Sequence, residues 1–256
     1  MPESSAERLR DALLIGLTFA AGVVDAVSYL GLGQIFTANM TGNVVFLALS
    51  VGERSFLTSL RSVGALVGFS LGAIIAGRVL TRPRPPGTWP VRVGWLIWVE
   101  LAFLVAFAAL WAGAGGQPGL GWLYLLIALS SLAMGFQNAA ARHLAVPGLT
   151  TTVITTALTG FMVDLPTLGV TGSNQRRAAL AVGTLFAGAA VGAVLMVHAR
   201  AYAPLVTVAT VATVAGVAQW AFGRTRGGRQ QAVDAPAPSP QWARARSRPP
   251  GQGDGD

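Results

Sequence analysis

Cysteine is absent from the 256 residues. That excludes a disulfide framework, a thiolate nucleophile and a Cys-ligated zinc site, and it leaves the redox compartment undetermined. Lysine is absent too, since all 18 basic residues are Arg. Chemistry that needs a lysine amine is thereby removed: the P-loop phosphate clamp, a Schiff base and the kinase strand lysine. Ala, Gly, Pro and Arg are abundant together, as in GC-rich coding sequence, so the Arg bias is compositional rather than functional. Charge is scarce, at 11% of residues, where an ordinary soluble domain carries about 25%. The two His, His143 and His198, are far apart and match no metal-ligand spacing. No metal and no cofactor are expected.

What fills the chain is apolar. Hydrophobic residues make up 53% of it and the mean hydropathy is +0.57, the composition of a membrane protein. Six runs, 12–32, 62–80, 93–112, 120–141, 178–198 and 203–222, are each long enough to cross a hydrocarbon core of ~30 Å as a helix. The first, preceded by Arg8 and Arg10, is too long for a signal peptide, contains Asp25, lacks a clear cleavage site and is followed by further spans. The net charge of +8 does not mark a nucleic-acid binder, because the Arg lie at the edges of apolar runs and in a tail rather than along one soluble face.

Two further segments are ambiguous. Residues 37–52, TANMTGNVVFLALSVG, and 150–169, TTTVITTALTGFMVDLPTLG, are polar at their start and apolar for only about ten residues, too short to cross unaided. The excess of Arg on cytoplasmic loops decides between topologies. If both segments cross, the twelve Arg before residue 223 divide six and six. If neither crosses, Arg8, Arg10, Arg78, Arg82, Arg84, Arg92, Arg142, Arg176 and Arg177 face the cytoplasm and only Arg54, Arg61 and Arg200 face out. The expectation is therefore an all-α integral membrane protein with six transmembrane helices, two re-entrant half-helices and both termini cytoplasmic.

Shifted by 113 residues, GVVDAVSYLGLGQIFTANMTGNVVFL from Gly22 lies on GFQNAAARHLAVPGLTTTVITTALTG from Gly135 without a gap. Gly22 meets Gly135, Asp25 meets Asn138 and Thr37 meets Thr150. Each half has three crossings, an odd number, so the halves are expected to be inverted repeats, a plan that forms sites near the midplane from broken helices. The expected organisation is a cytoplasmic N-terminal tail (1–11), a first repeat (12–112), a second repeat (113–222) and a disordered basic cytoplasmic tail (223–256), the last rich in Pro, Gly and Arg.

The same plan locates a candidate site. Residues 33–38, extended, reach about 20 Å, and a helix from about Thr41 to Val51 climbs back roughly 16 Å. In the second half, a helix from about Thr152 to Leu165 is stopped by Pro166. The two N-termini then meet near the bilayer centre with unpaired N–H groups, and Asn39, Thr41, Asn43, Thr150, Thr151 and Thr152 are suitable capping types. Together with Gln137 and Asn138 they are the expected binding residues for a small polar or anionic solute. The bland reading is that they cap backbone and bind nothing. Asp25, deep in the first span, must be neutral, paired or wet. It is expected either to couple a proton or cation, or to hydrogen-bond the broken backbone beside it. Glu100 has no evident partner.

Gly64, Gly68 and Gly72, and likewise Gly188 and Gly192, recur every four residues, a spacing that lets helices approach closely. Packing within the chain is the first expectation and a homo-oligomer through those faces the second. GFSLG at Gly68–Gly72 fits a nucleophile elbow, but inside an apolar span with no strand before it the match is chance. Asn39-Met40-Thr41 fits a glycosylation sequon at a depth that would hide it.

VDAVSYLGLGQIFTANMTGNVVFLAL with MGFQNAAARHLAVPGLTTTVITTALTGFMVDL resembles the YoaK-type family of uncharacterised bacterial multi-pass membrane proteins, over about residues 12–222. The resemblance implies an inner-membrane location and carries over no catalytic residue. The expected function is a permease or channel-like transporter, with a non-transporting scaffold or partner subunit as the alternative. An enzyme is not expected, since no nucleophile, base and orienter occur together.

Overall fold

In a computed structural model the described residues are 5–81, 89–144, 146 and 173–234, with the side chains of 173–175 and 223–234 left aside. Every regular element among them is helical: α1 (Ser5–Gly31), α2 (Met40–Gly52), α3 (Phe56–Val79), α4 (Val91–Gly113), α5 (Leu120–Leu144), α6 (Ser173–His198) and α7 (Ala203–Asp234), with a 3-10 turn at Arg200–Tyr202. All but α2 are long and apolar enough to cross a membrane. Helix is what lipid demands, because it pairs every backbone group within the segment. At 13 residues, α2 is about 20 Å long. The expected second re-entrant segment, 150–169, with Thr150, Thr151 and Thr152, lies outside the described residues.

Several helices run past the apolar stretches read from the sequence, α1 from Ser5 and α6 from Ser173 among them. Helix α3 begins at Phe56 rather than 62, because the polar residues there pair locally: Ser55 and Thr58 hydroxyls are 2.9 Å apart, and the Ser59 N–H donates to the Ser55 carbonyl at 3.1 Å. Helix α7 continues to Asp234, so the first part of the tail expected to be disordered is helical. Extending an existing helix avoids the cost of nucleating a new one.

The bundle is held by two close crossings. In the first, α1 packs on α6, and in the second, α3 packs on α5. A Cβ on Gly68 would run into Ser131 Oγ, and one on Gly72 into the Leu132 carbonyl oxygen. A Cβ on Gly188 would run into the Phe19 carbonyl oxygen, and one on Gly192 would meet that of Val23 at 2.9 Å. Positions rise together along both members of each pair, so each pair is parallel. The partners answer in kind. A Cβ on Gly22 would strike the Leu185 carbonyl oxygen and the Ala189 nitrogen, and one on Gly135 would strike those of Phe69 and Ala73. The glycine stripes are thus consumed inside the chain, where backbone meets backbone. Around these crossings α4 packs on α5 and α7, α7 on α1, and α2 on α3.

The core divides into two clusters, one around Leu14, Leu17, Ile97, Leu104 and Met134 and one around Trp111, Leu126 and Ile127. Large apolar residues such as Phe56, Phe186 and Val197 lie exposed on the outside, as a lipid-facing surface requires. Helix α2 carries this to the limit: its buried residues are Asn43 and Ser50, and Val44, Val45, Leu49 and Val51 face out. Ser50 Oγ binds Ser59 Oγ of α3 at 2.6 Å.

The ends of the bundle are marked by Arg. At the N-terminal end of α1, Asp11 accepts from Arg10 at 3.0 Å and from Arg177 of α6 at 2.8 Å. At its C-terminal end Arg200 donates to the Leu30 carbonyl at 3.3 Å and the Gly116 carbonyl at 2.8 Å, and the Trp111 indole donates to the Arg200 carbonyl at 2.8 Å. A cation on the last carbonyls of α1 also complements the helix dipole.

Candidate functional site

Helix α1 ends when Leu32 N–H bonds the Ser28 carbonyl at 2.8 Å and Gln34 N–H bonds that of Tyr29 at 3.0 Å. Gly33 and Gln34 have φ of 88° and 62°, left-handed values that reverse the chain. The left-handed φ favours glycine at 33, and the Arg61 guanidinium of α3 reaches over the space where its Cβ would stand.

The reversed chain runs back along α1. Asp25 lies six residues before the end of that helix, about 9 Å along it, and its Oδ1 accepts the backbone N–H groups of Thr37, Ala38 and Asn39 at 3.1, 2.8 and 3.3 Å. Thr37 Oγ1 meets Ser130 Oγ at 2.8 Å, near the middle of α5. The polar stretch therefore reaches the interior of the bundle. From there α2 starts, and its Phe46 packs on Tyr29 at 6.2 Å between ring centroids, with Phe36 between them at 5.7 and 5.3 Å. Helix α2 thus rises beside the last turns of α1, toward the end from which the chain came down.

Asn43 makes this hairpin rigid. Its Oδ1 accepts the Phe36 N–H at 2.9 Å, and its Nδ2 donates to the Phe36 carbonyl. The reciprocal pair uses both ends of a fully buried amide, which otherwise would cost free energy in an apolar site.

The expected capping is corrected by this geometry. Asn39 is the residue before α2, yet its side chain makes no capping bond. Asp25, from a different helix, takes that place, since a carboxylate accepts more strongly than an amide oxygen and complements the positive end of α2. Of the two expected readings of Asp25, the hydrogen bonds to the broken backbone are present. Its Oδ1 serves all three N–H groups, and its Oδ2 takes no hydrogen bond among the described residues. The shared face of Asp25 and Ser28 is used differently from a side-chain pair: Ser28 Oγ donates to the Asp25 carbonyl at 3.1 Å.

The other expected residues separate. Asn39 and Thr41 are exposed at the start of α2, beside Asp25. Gln137 is buried and points its Nε2 to the Leu17 carbonyl of α1 at 3.0 Å. Asn138 Nδ2 donates to the Met134 carbonyl at 3.2 Å, and its side chain lines a separate groove of about 570 Å³ between α3 and α5 with Arg142 and His143. The structure thus brings Asp25 to the Asn39 backbone, with Thr41 and Asn43 following in the first turn of α2, and leaves Gln137 and Asn138 on α5, engaged elsewhere.

Sequence reasoning missed two pairings. Thr37 and Ser130 are a hydroxyl pair between segments 93 positions apart, and a lone Ser inside an apolar span carries no signal of its own. Asp11 sits one residue before the first apolar run and Arg177 one residue before the fifth. An acid and a base at matching run edges were a signal that could have been read.

A bundle of six helices long and apolar enough to cross a membrane, with a shorter apolar helix beside them, defines a multi-pass helical membrane protein. Residues 13–217 match the family described as "Protein of unknown function (DUF1275)", and the chain belongs to that family. It is 37% identical over 161 residues to the UPF0700 transmembrane protein YoaK of Bacillus subtilis (strain 168), covering 63% of this chain and 69% of that protein. No solved structure matches the chain.

Proposed function

We propose that this protein is a small permease or channel-like transporter of the bacterial plasma membrane, with both termini cytoplasmic and two inverted halves. The observation that carries the reading is the polar stretch at the start of α2, held inside the bundle between Asp25 of α1 and Ser130 of α5. Irregular backbone at membrane depth is tolerated only where protein buries it or a wet cavity lines it, and here Asn39, Thr41 and Asp25 Oδ2 remain for a solute.

The inverted plan is supported by the two helix crossings. Gly22 and Gly135 differ by 113, their backbone partners Leu185 and Phe69 by 116, and so do Ala189 and Ala73. Equivalent glycines meet equivalent carbonyls, as a pseudo-two-fold axis would produce. The orientation is supported by Arg10 and Arg177 at one end and Arg61 and Arg200 at the other, the grouping that the cytoplasmic Arg excess requires.

The solute class narrows from the sequence expectation. Asp25 already occupies the positive end of α2, so an anion would face a carboxylate rather than a bare helix terminus. A neutral polar or cationic solute fits the remaining groups better. A second reading, a scaffold that transports nothing, is favoured by one observation: Asn43 and Asp25 Oδ1 are spent on the protein's own backbone.

Purified protein in lipid vesicles, offered a panel of labelled neutral, cationic and anionic small solutes, separates the two. Transport predicts entry of a neutral or cationic solute above empty vesicles, cut at least about tenfold in Thr41→Val. Uptake equal to that of empty vesicles across the panel, with folded protein, supports the scaffold.

A further inference from the structure

Deep in the described membrane spans, the candidate site leaves Glu100 unused. Glu100 is the tenth of the 23 residues of α4 and is fully buried. Neither Oε1 nor Oε2 has a hydrogen-bond partner among the described residues. Its own helix surrounds it with Leu96, Ile97, Leu101 and Leu104, all in the core.

A second unpartnered atom lies at the same depth. Helices α4 and α5 are joined by the short connection 114–119 and so run antiparallel, with Phe103 packed on Phe136 at 5.8 Å between ring centroids. From that contact Glu100 lies three residues toward the start of α4, and Gln137 one residue toward the end of α5, which is the same direction. Their depths differ by about 3 Å. Gln137 Oε1 is buried without a partner, while its Nε2 is held by Leu17.

The donor inventory decides what Glu100 must be. An amide oxygen accepts and cannot donate, and an ionised carboxylate likewise only accepts. Two unpartnered acceptors in one apolar core offer each other nothing, whereas a protonated carboxyl carries a donor and no charge. Among the described residues no counter-charge bonds it to stabilise the ion. Among the elements around α4, α5 carries Tyr124, Arg142 and His143, and Arg142 is exposed. Helix α7 has no charged residue among its described side chains, and the 3-10 turn carries Arg200, which bonds Gly116 and Leu30 at the far end, and Tyr202. On α1, Glu7 and Arg8 lie in its first turns, Arg10 and Asp11 pair with each other and Asp11 with Arg177, Asp25 holds residues 37–39, and Tyr29 stacks on Phe36. None forms a hydrogen bond or ion pair with Glu100.

We propose that Glu100 is a proton-binding site in the bundle core. It keeps its proton while α4 is packed on α5 and α7, and it passes the proton to water when that interface opens. Opening of α4 is thereby linked to proton release. The inference does not depend on a transported solute.

Infrared spectroscopy of the protein in lipid vesicles tests the first half. At neutral pH the wild type is expected to show the carbonyl stretch of a protonated carboxylic acid in an apolar setting, shifted on deuteration. Glu100→Gln and Glu100→Leu should both lack it, and Asp25→Asn should retain it. Absence of the band in the wild type, or its survival in either Glu100 variant, overturns the proposal. Amide hydrogen exchange tests the linkage. Exchange in α4, measured relative to α3, is expected to rise with pH by up to about tenfold per unit, the slope of one linked proton, and to stay flat in Glu100→Gln. The same slope in both proteins would show that Glu100 is only a packing residue. Glu100→Leu guards against a variant that merely fails to fold, because replacing a buried carboxyl by an apolar residue removes a polar burden from the core.

Discussion

Asp25 Oδ1 accepts the Ala38 N–H at 2.8 Å, across thirteen positions of chain, so that one side chain of α1 sets where the reversed chain stops and α2 begins. With the Thr37 and Asn39 N–H groups on the same oxygen, removing the carboxylate leaves up to three donors unsatisfied. Asp25→Ala is therefore expected to lower stability by about 2–4 kcal/mol. Asp25→Asn keeps an acceptor but loses the charge that strengthens it, and should cost about half as much. Thermal unfolding in detergent gives both values. Equal costs for the two variants would mean that charge plays no part in holding the hairpin.

The glycines give a graded series. Gly135→Ala drives a methyl group into the Phe69 carbonyl oxygen and the Ala73 nitrogen, and Gly22→Ala does the same against Leu185 and Ala189. Backbone at a helix crossing cannot step aside as a flexible side chain can, so each should cost about 1–3 kcal/mol or more. Gly64 belongs to the α3 stripe with Gly68 and Gly72, but the nearest neighbour of its Cβ would be Ile127 Cγ2 at 3.9 Å, an ordinary contact. Gly64→Ala should change stability by no more than about 0.5 kcal/mol. A loss for Gly64→Ala as large as that for Gly135→Ala would contradict the packing described for α3 and α5.

The six spans were legible because length and apolarity are local quantities, and the close approach of helices was legible in the spacing of Gly68, Gly72, Gly188 and Gly192. Which helix each stripe meets was not, because that depends on pairing between segments more than sixty residues apart. At the site, one of the two expectations for Asp25, hydrogen bonds to the broken backbone, is present at residues 37–39, while the capping expected of the Asn39 side chain is absent. Local rules make Asn39 the cap, but tertiary folding brings a stronger acceptor from α1, and that it displaces the Asn39 side chain depends on the chain reversal rather than on any local pattern. Asn43 was legible as polar and buried, yet its use as a two-ended latch on Phe36 requires the chain reversal at Gly33 and Gln34.

Asp11 and Arg177 should couple energetically. Their 2.8 Å bridge joins α1 to α6, and the side chains are only 10% and 17% exposed. Breaking it by Asp11→Ala leaves Arg10 and Arg177 facing each other without an acid. The expected loss is about 3 kcal/mol, near the lower end for a buried pair because some water reaches it. The single changes Asp11→Ala and Arg177→Ala should be sub-additive in the double variant by at least about 1 kcal/mol. Additive losses in a double-mutant cycle would show the bridge to be incidental.

The course of α2 yields the last prediction. Because α2 starts beside Asp25 and passes Tyr29 on its way up, the turn at Glu53–Ser55 that follows it belongs to the same end of the bundle as Gly33 and Arg200. The chain has no native Cys, so single cysteines can be introduced and labelled in intact cells without background. A cysteine at Arg54 should react with a membrane-impermeant maleimide from outside, and one at Arg8 only after the membrane is opened. Thr41→Cys, at the start of α2 and exposed, should label from outside more slowly than Arg54→Cys, because the reagent must descend about 20 Å, the length of α2. Labelling of Arg54→Cys only from the cytoplasm would require α2 to cross the bilayer, which would place an even number of crossings in the first half and remove the basis for its inversion relative to the second.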